Sequence, residues 1–298
     1  MAISAAMVKD LREKTGAGMM DCKKALTETG GDMAKAIDYL REKGIAKAEK
    51  KAGRVAAEGA VAAYVDGNTG VIVEINCETD FAAGNEQFRA LEDKIVKHIA
   101  AVKPKDLAEL EASELGGKKV SDLVIEATAT IGEKISLRRF ACIETGGKLA
   151  SYIHMGGKIG VLVELTGGDE QLGKDMAMQI AAAAPTAVDR SGVNAADLEH
   201  EKEVLRKQAL EDIEKDEKKK KMPKDRINMI VEKMVEGRVD KFYKESCLTE
   251  QVFVKDSEKT VQDVLGAVKV KQFVRYQLGE GIEKKQEDFA AEVAAQMK

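Results

Sequence analysis

The sequence predicts an α+β fold: an N-terminal three-helix module, a duplicated core of antiparallel sheet plus helices with an inserted antiparallel helical hairpin, and a C-terminal helical module. Three observations predict it. Apolar residues recur at helical spacing up to about residue 43, the period drops to two from Ala56, and the strand pattern that begins there returns, GVIVEI at Gly70–Ile75 answered by GVLVEL at Gly160–Leu165. The expected boundaries are 1-54 for the N-terminal module and its linker, 55-140 for the first core copy, 141-190 with 248-280 for the second, 191-247 for the hairpin and 281-298 for the C-terminal module.

In chain order, Ser4 can cap a first helix with Met7, Val8 and Leu11 on one face, and Gly16 and Gly18 interrupt it. A second helix from about Met20 to Thr29 ends at Gly30-Gly31, and Asp32 can cap a third carrying Met33, Ile37 and Leu40. Residues 43–54, KGIAKAEKKAGR, hold too little apolar content to pack on both sides and read as an extended or helical linker. Asp66-Gly67 then turns AVAAYV back into GVIVEI as a hairpin. A helix from Asn85 to about Val102 sets Phe88, Leu91, Ile95 and Ile99 on one side. Lys105 to Ile135 is helical in composition, and IGEKISLRRFACIE reads as a helix end followed by a strand. LASYI, the turn HMGGK and GVLVEL make the second hairpin, followed by a helix that ends at Pro185. Two charged helices with sparse apolar stripes, Asp197 to about Lys221 and Asp225 to Tyr243, imply an antiparallel helical hairpin. VFVKD, a short helix around Thr260 to Val268 and the strand KVKQFVRYQLG return to globular packing. Glu283 to Met297 is expected to be helical, with Phe289, Val293 and Met297 on one face.

The balance of 48 basic and 52 acidic residues leaves no global positive field for nucleic acid, so direct nucleic-acid binding is not expected, although local basic patches remain. Cys22, Cys77, Cys142 and Cys247 are far apart and lack CxxC spacing, which reads as free thiols in a reducing compartment. The N-terminus is charged where a signal peptide needs an apolar core, and no stretch has the apolar length to span a bilayer; the expected location is cytoplasmic, with no membrane contact. TGAGMMDCKKAL lacks the GKS/T of a phosphate-binding loop and a preceding strand. His98, His154 and His200 have no metal-ligand spacing and read as surface residues, so neither metal nor cofactor is expected. No local base supports a serine or cysteine nucleophile, and enzymatic chemistry is not expected. Lys218 to Lys221, with no interleaved aromatics, reads as the solvated tip of the hairpin.

The two core copies differ where the strand meets the helix. The second passes from Leu165 through TGGD, whereas the first passes from Ile75 through NCETDFAAGN, so Thr79, Asp80 and Phe81 are not needed for closure. Phe81 either folds back under the hairpin as a small satellite core, with Asp80 capping the next turn, or stands out as an anchor for a partner. Its lack of a counterpart in the second copy favours the anchor. Met19 and Met20, after a glycine turn, could serve either a partner surface or core packing.

Leu11 to Leu26, LREKTGAGMMDCKKAL, and Glu74 to Phe81, EINCETDF, resemble the two signatures of the bacterial elongation factor Ts family, and the resemblance runs through the duplicated core and hairpin to the ending FVRYQLGEGIEKKQEDFAAEVAAQ. Ala82 stands where that family usually has valine, and Gly84 where it more often has a polar residue. The resemblance implies a ubiquitin-associated-like N-terminal module and guanine-nucleotide exchange on elongation factor Tu, bound in its GDP-loaded and nucleotide-free forms. It further implies that the N-terminal module, where Met19 and Met20 lie, and the first copy contact Tu's GTPase domain, the second copy its third domain, and that the C-terminal module helps hold the complex. Thr79, Asp80, Phe81 and Ala82 would disturb Tu's Mg²⁺ site. A homodimer or a 2:2 complex with Tu stays open, as does a non-catalytic helical adaptor that binds a partner without exchange.

Overall fold

In the computed structural model, which describes residues 3–283, the chain is built of helices and small antiparallel sheets, the α+β class the sequence predicts. Residues 284–297 of the expected C-terminal helix lie outside the described residues. The described chain forms two compact units. One holds the residues up to Glu144, Ile153–Gly160 and those from Tyr276 on, and the other holds Thr145–Tyr152 and Val161–Arg275.

The first unit opens with α1 (Ala5–Thr15), α2 (Met19–Glu28) and α3 (Met33–Lys51). Ser4 Oγ accepts from the Met7 N–H at 3.3 Å and Asp32 Oδ1 from the Lys35 N–H at 3.1 Å, so each cap satisfies an orphan donor at its helix start. Val8, Leu11, Cys22, Ala25, Leu26 and Ala36 bury together as this module's own core. β1 (Glu58–Asp66) and β2 (Thr69–Cys77) form the hairpin that Asp66-Gly67 announces, with Asp66 opposite Thr69. Gly59 sits at φ 128, and a Cβ there would lie 2.1 Å from the Ile75 carbonyl oxygen, so only glycine fits this approach.

After β2 come a single helical turn α4 (Asp80–Ala83), α5 (Glu86–Val102), α6 (Leu107–Ala112), the two-residue strands β3 (Glu114–Leu115) and β4 (Lys118–Lys119), α7 (Val120–Ile131) and β5 (Ser136–Glu144). The segment from Lys105 to Ile135 is thus two helices parted by a minimal hairpin around Gly116-Gly117; helix-forming composition did not reveal that break. The sheet order β1-β2-β5 makes β2 central. Val71, Val73 and Ile75 pack with Phe88, Leu91, Ile95 and Ile99 of α5 in one cluster, each large side chain contributing about 1.5–3 kcal/mol by burial. The expected linker is mostly helix: α3 continues to Lys51 because Gly44 lets it lie against α7, where a Cβ would come 3.3 Å from Ala129 Cβ. His98 is buried rather than on the surface; its Nε2 lies 2.7 Å from Ser113 Oγ, and the desolvation pushes its pKa down.

β6 (Lys148–His154), β7 (Ile159–Leu165) and β10 (Val270–Gln277) form a second antiparallel-hairpin-based sheet in the order β10-β7-β6, with α8 (Glu170–Ala183) following β7. Between them run α9 (Ala195–Lys215), α10 (Lys224–Ser246), the short strands β8 (Val252–Phe253) and β9 (Asp256–Thr260), and α11 (Val261–Leu265). Ala209, Ile213, Val231 and Val235 bury between α9 and α10, and Arg206–Glu232 (3.0 Å) and Arg238–Asp212 (2.6 Å) bridge the two helices. This is the charged hairpin with a sparse apolar stripe. All four cysteines are free thiols. No helix among the described residues is long and apolar enough to cross a membrane.

Candidate functional site

Strand β2 delivers the chain at Cys77, and Thr79 begins the turn α4. With Thr79 extended at φ −130 and ψ 157, its Oγ1 accepts from the Ala82 N–H at 3.2 Å, so a threonine N-cap starts the turn. The Ala83 N–H donates to the Thr79 carbonyl and the Gly84 N–H to that of Asp80 at 2.9 Å. One turn has an inner and an outer side. Ala82 and Ala83 are 6% and 5% exposed and belong to the first unit's main core, whereas Asp80 and Phe81 point outward. Phe81 is 88% exposed, the most exposed large apolar side chain among the described residues. The satellite-core alternative is therefore not what the ring does.

The outward aromatic sits on a held backbone. Glu133, in the turn after α7, accepts from both Thr79 groups: the N–H at 2.9 Å on Oε2 and the hydroxyl at 2.7 Å on Oε1. Glu78 reciprocates, its Oε1 accepting from the Lys134 N–H at 2.6 Å and its carboxylate pairing with Arg54 at 3.2 Å. Lys134 Nζ donates in turn to the Arg54 carbonyl at 2.9 Å, and Lys51 Nζ to that of Gly132. The Cys77 thiol donates to the Thr79 carbonyl at 3.1 Å. Burial, with the nearby Glu133 charge, pushes its pKa up to about 12, so it stays protonated and can donate. Sequence reasoning missed Glu133, which lies 54 positions from Thr79 in a segment read only as a helix end. A carboxylate right after the helix-stopping Gly132 was the one local signal.

Met19 and Met20, at the first turn of α2, are 59% and 72% exposed, so neither packs into the core. They stand on a different element from Phe81. The glycine turn before them does face the first turn of α5, since a Cβ at Gly16 would lie 3.6 Å from Gln87 Nε2. A groove of about 390 Å³ opens between this module and α7, lined by Ala17, Gly18, Tyr39 and Ile125 among others. Among the charged residues of its walls, Lys47 pairs with Asp21 and Arg41 with Asp122, both at 2.9 Å. No cluster of metal-ligating side chains occurs among the described residues.

One electrostatic feature recurs in both copies. Glu74 on β2 and Glu164 on β7 occupy the same position of the repeat and are both buried. Burial opposes ionisation of Glu74, but the Gly279 N–H (2.8 Å), Arg138 (2.8 Å) and Arg139 (2.6 Å) win and hold its pKa below the usual carboxylate range. Glu164 is held down to about 2, first by hydrogen bonds from the Thr145 hydroxyl and Gln272 (2.8 Å), then by Lys271 (2.9 Å). Both carboxylates anchor the central strand that leads to its helix.

A family model described as elongation factor TS matches residues 78–280, which span the turn bearing Phe81 and the elements from α4 to β10. The match begins at the residue after β2 and leaves out the N-terminal module with Met19 and Met20. It covers more than half of the chain, and the chain belongs to the elongation factor TS family of translation elongation factors.

Proposed function

We propose that this protein is a guanine-nucleotide exchange factor for elongation factor Tu, binding Tu with GDP or without nucleotide and promoting GDP release without covalent chemistry of its own. The observation that carries the reading is Phe81, 88% exposed on a turn whose other side is core. A GTPase holds GDP through phosphate contacts and a Mg²⁺ that neutralises oxygen charge, so disturbing either speeds release. Phe81 inserts between helices of Tu's GTPase domain, and Asp80 perturbs the hydrogen bonds that support the Mg²⁺ ligands. Thr79 caps the turn that carries both. Ala82 acts from inside, its buried methyl seating the turn, while Met19 and Met20 extend the contact from the N-terminal module.

Burying the ring in a partner is worth about 1.5–3 kcal/mol, enough to favour a displaced helix arrangement when other contacts supply the remaining affinity. Reciprocity then follows: whatever this protein does to weaken GDP binding, GDP does to weaken this protein's binding, and incoming nucleotide expels the factor. Release of mant-GDP from Tu tests the reading. The exchange reading expects a release rate that rises with factor concentration to a plateau well above the intrinsic rate. Binding to Tu with an unchanged GDP off-rate would instead support the adaptor.

A further inference from the structure

We infer that Glu133 is a positioning residue for exchange: its carboxylate fixes the turn Thr79–Ala83 so that Phe81 is presented before the partner arrives. This rests on the wedge role of Phe81 proposed above. The geometry points to Glu133 because it satisfies two donors of one residue at once, the Thr79 N–H at 2.9 Å and hydroxyl at 2.7 Å, while Thr79 Oγ1 still accepts the capping bond from Ala82. Donation of its own proton to Glu133 orients the hydroxyl so that a lone pair faces the Ala82 N–H, and the two bonds support one another. Bonds to a charged acceptor are also stronger than neutral ones.

A turn of four residues cannot hold itself, since helix nucleation is unfavourable; within α4 itself only the Thr79 cap and two buried alanines stabilise it, and the rest comes from neighbouring groups such as the Cys77 thiol. Without Glu133 the ring would be ordered at the moment of binding, and that entropy would be subtracted from the interaction that displaces Tu's helices. The reciprocal bond from the Lys134 N–H to Glu78, and the Arg54–Glu78 pair, tie the same turn to the end of α3. Glu133 thereby lies between the N-terminal module's last helix and the wedge.

A double-variant comparison tests the inference, using the full chain, Tu loaded with mant-GDP and saturating factor. Glu133→Ala is expected to slow maximal release at least about fivefold in the wild-type background and less than about twofold when Phe81→Ala is already present, because the two residues act as one unit. Amide exchange at Ala82, Ala83 and Gly84 in the free protein is expected to speed up at least about tenfold while the core of α5 stays protected. Glu133→Gln keeps the shape without the charge and falls between wild type and alanine; it carries the same comparison should the alanine variant not fold. Equal slowing with and without Phe81, or unchanged release in both Glu133 variants while Phe81→Ala alone is slow, overturns the positioning role and leaves the wedge standing. Wild-type release in Phe81→Ala overturns the wedge, and the role of Glu133 with it.

Discussion

Strands β2 and β7 carry one pattern, sit at the centre of their sheets and each bury a glutamate, yet they hand the chain to their helices differently. From β7 the chain reaches α8 through four residues, 166–169, and Asp169 caps the helix. From β2 it takes eight, 78–85, and Asn85 does the capping. Closure of a strand-to-helix unit therefore needs only the shorter form. The longer form is not a loose appendage, because Ala82 and Ala83 join the core while Thr79 is gripped by Glu133. The difference teaches that the longer connection carries a hydrogen-bonded turn whose outer side forgoes about 1.5–3 kcal/mol by leaving a phenyl ring in water. A scaffold feature without a structural use in its own molecule is a candidate contact for another.

If the copies are the same scaffold carrying different connections, changes to shared features should act alike in both and changes to the turn should not. The largest shared effect is expected at the buried glutamates. Removing one partner of a buried pair costs about 3–5 kcal/mol, and the arginines facing Glu74 keep 26–30% of their side-chain surface, so Glu74→Ala should destabilise by about 2–4 kcal/mol in urea melts. Lys271 is 48% exposed, so Glu164→Ala should cost less, about 1–3 kcal/mol. Both carboxylates have depressed folded-state pKa values, so their contribution is complete above the unfolded carboxylate pKa of about 4.3 and is lost as pH falls through the folded-state value, which for Glu164 is about 2. Acid titration of Glu164→Gln should therefore show a shallower loss of stability between those limits than wild type; an unchanged slope would remove Glu164 from the account.

Smaller and closer to equal should be the helix caps. Asn85 Oδ1 accepts from the Gln87 N–H and Asp169 Oδ1 from the Leu172 N–H, each at 2.8 Å. Alanine at either position should cost about 1 kcal/mol by thermal or urea melts, and a large excess at one would mean the copies do not share a scaffold. Smallest of all on stability should be Phe81→Ala, within about 0.5 kcal/mol of wild type, as expected for a surface substitution that breaks no bond.

Much of this was legible where the signal is local. The Asp66-Gly67 turn, the Ser4 and Asp32 caps, and the spacing of Phe88, Leu91, Ile95 and Ile99 each determine their element through neighbouring residues, and the structure has them where the sequence puts them. Phe81 was legible by contrast, as an aromatic with no counterpart in the repeat. Features fixed by distant partners were hidden. Helix α3 runs through a stretch too polar to pack on both sides because one glycine suffices for close approach to α7 on one side. His98 is buried with its Nε2 against a serine hydroxyl fifteen positions away, and the hold on Thr79 comes from another loop altogether. Periodicity reports which face of an element is apolar, but not which remote carboxylate will find its cap.

The decisive quantity is the rate of GDP release from Tu driven by saturating wild-type protein and by Phe81→Ala, followed by stopped-flow fluorescence of mant-GDP. Losing the burial of one ring at the displaced site predicts a release rate about 10–100-fold slower for the variant, with its fold and melting behaviour intact. Equal rates for the two proteins would contradict the account, because the exposed ring would then have no part in moving the nucleotide.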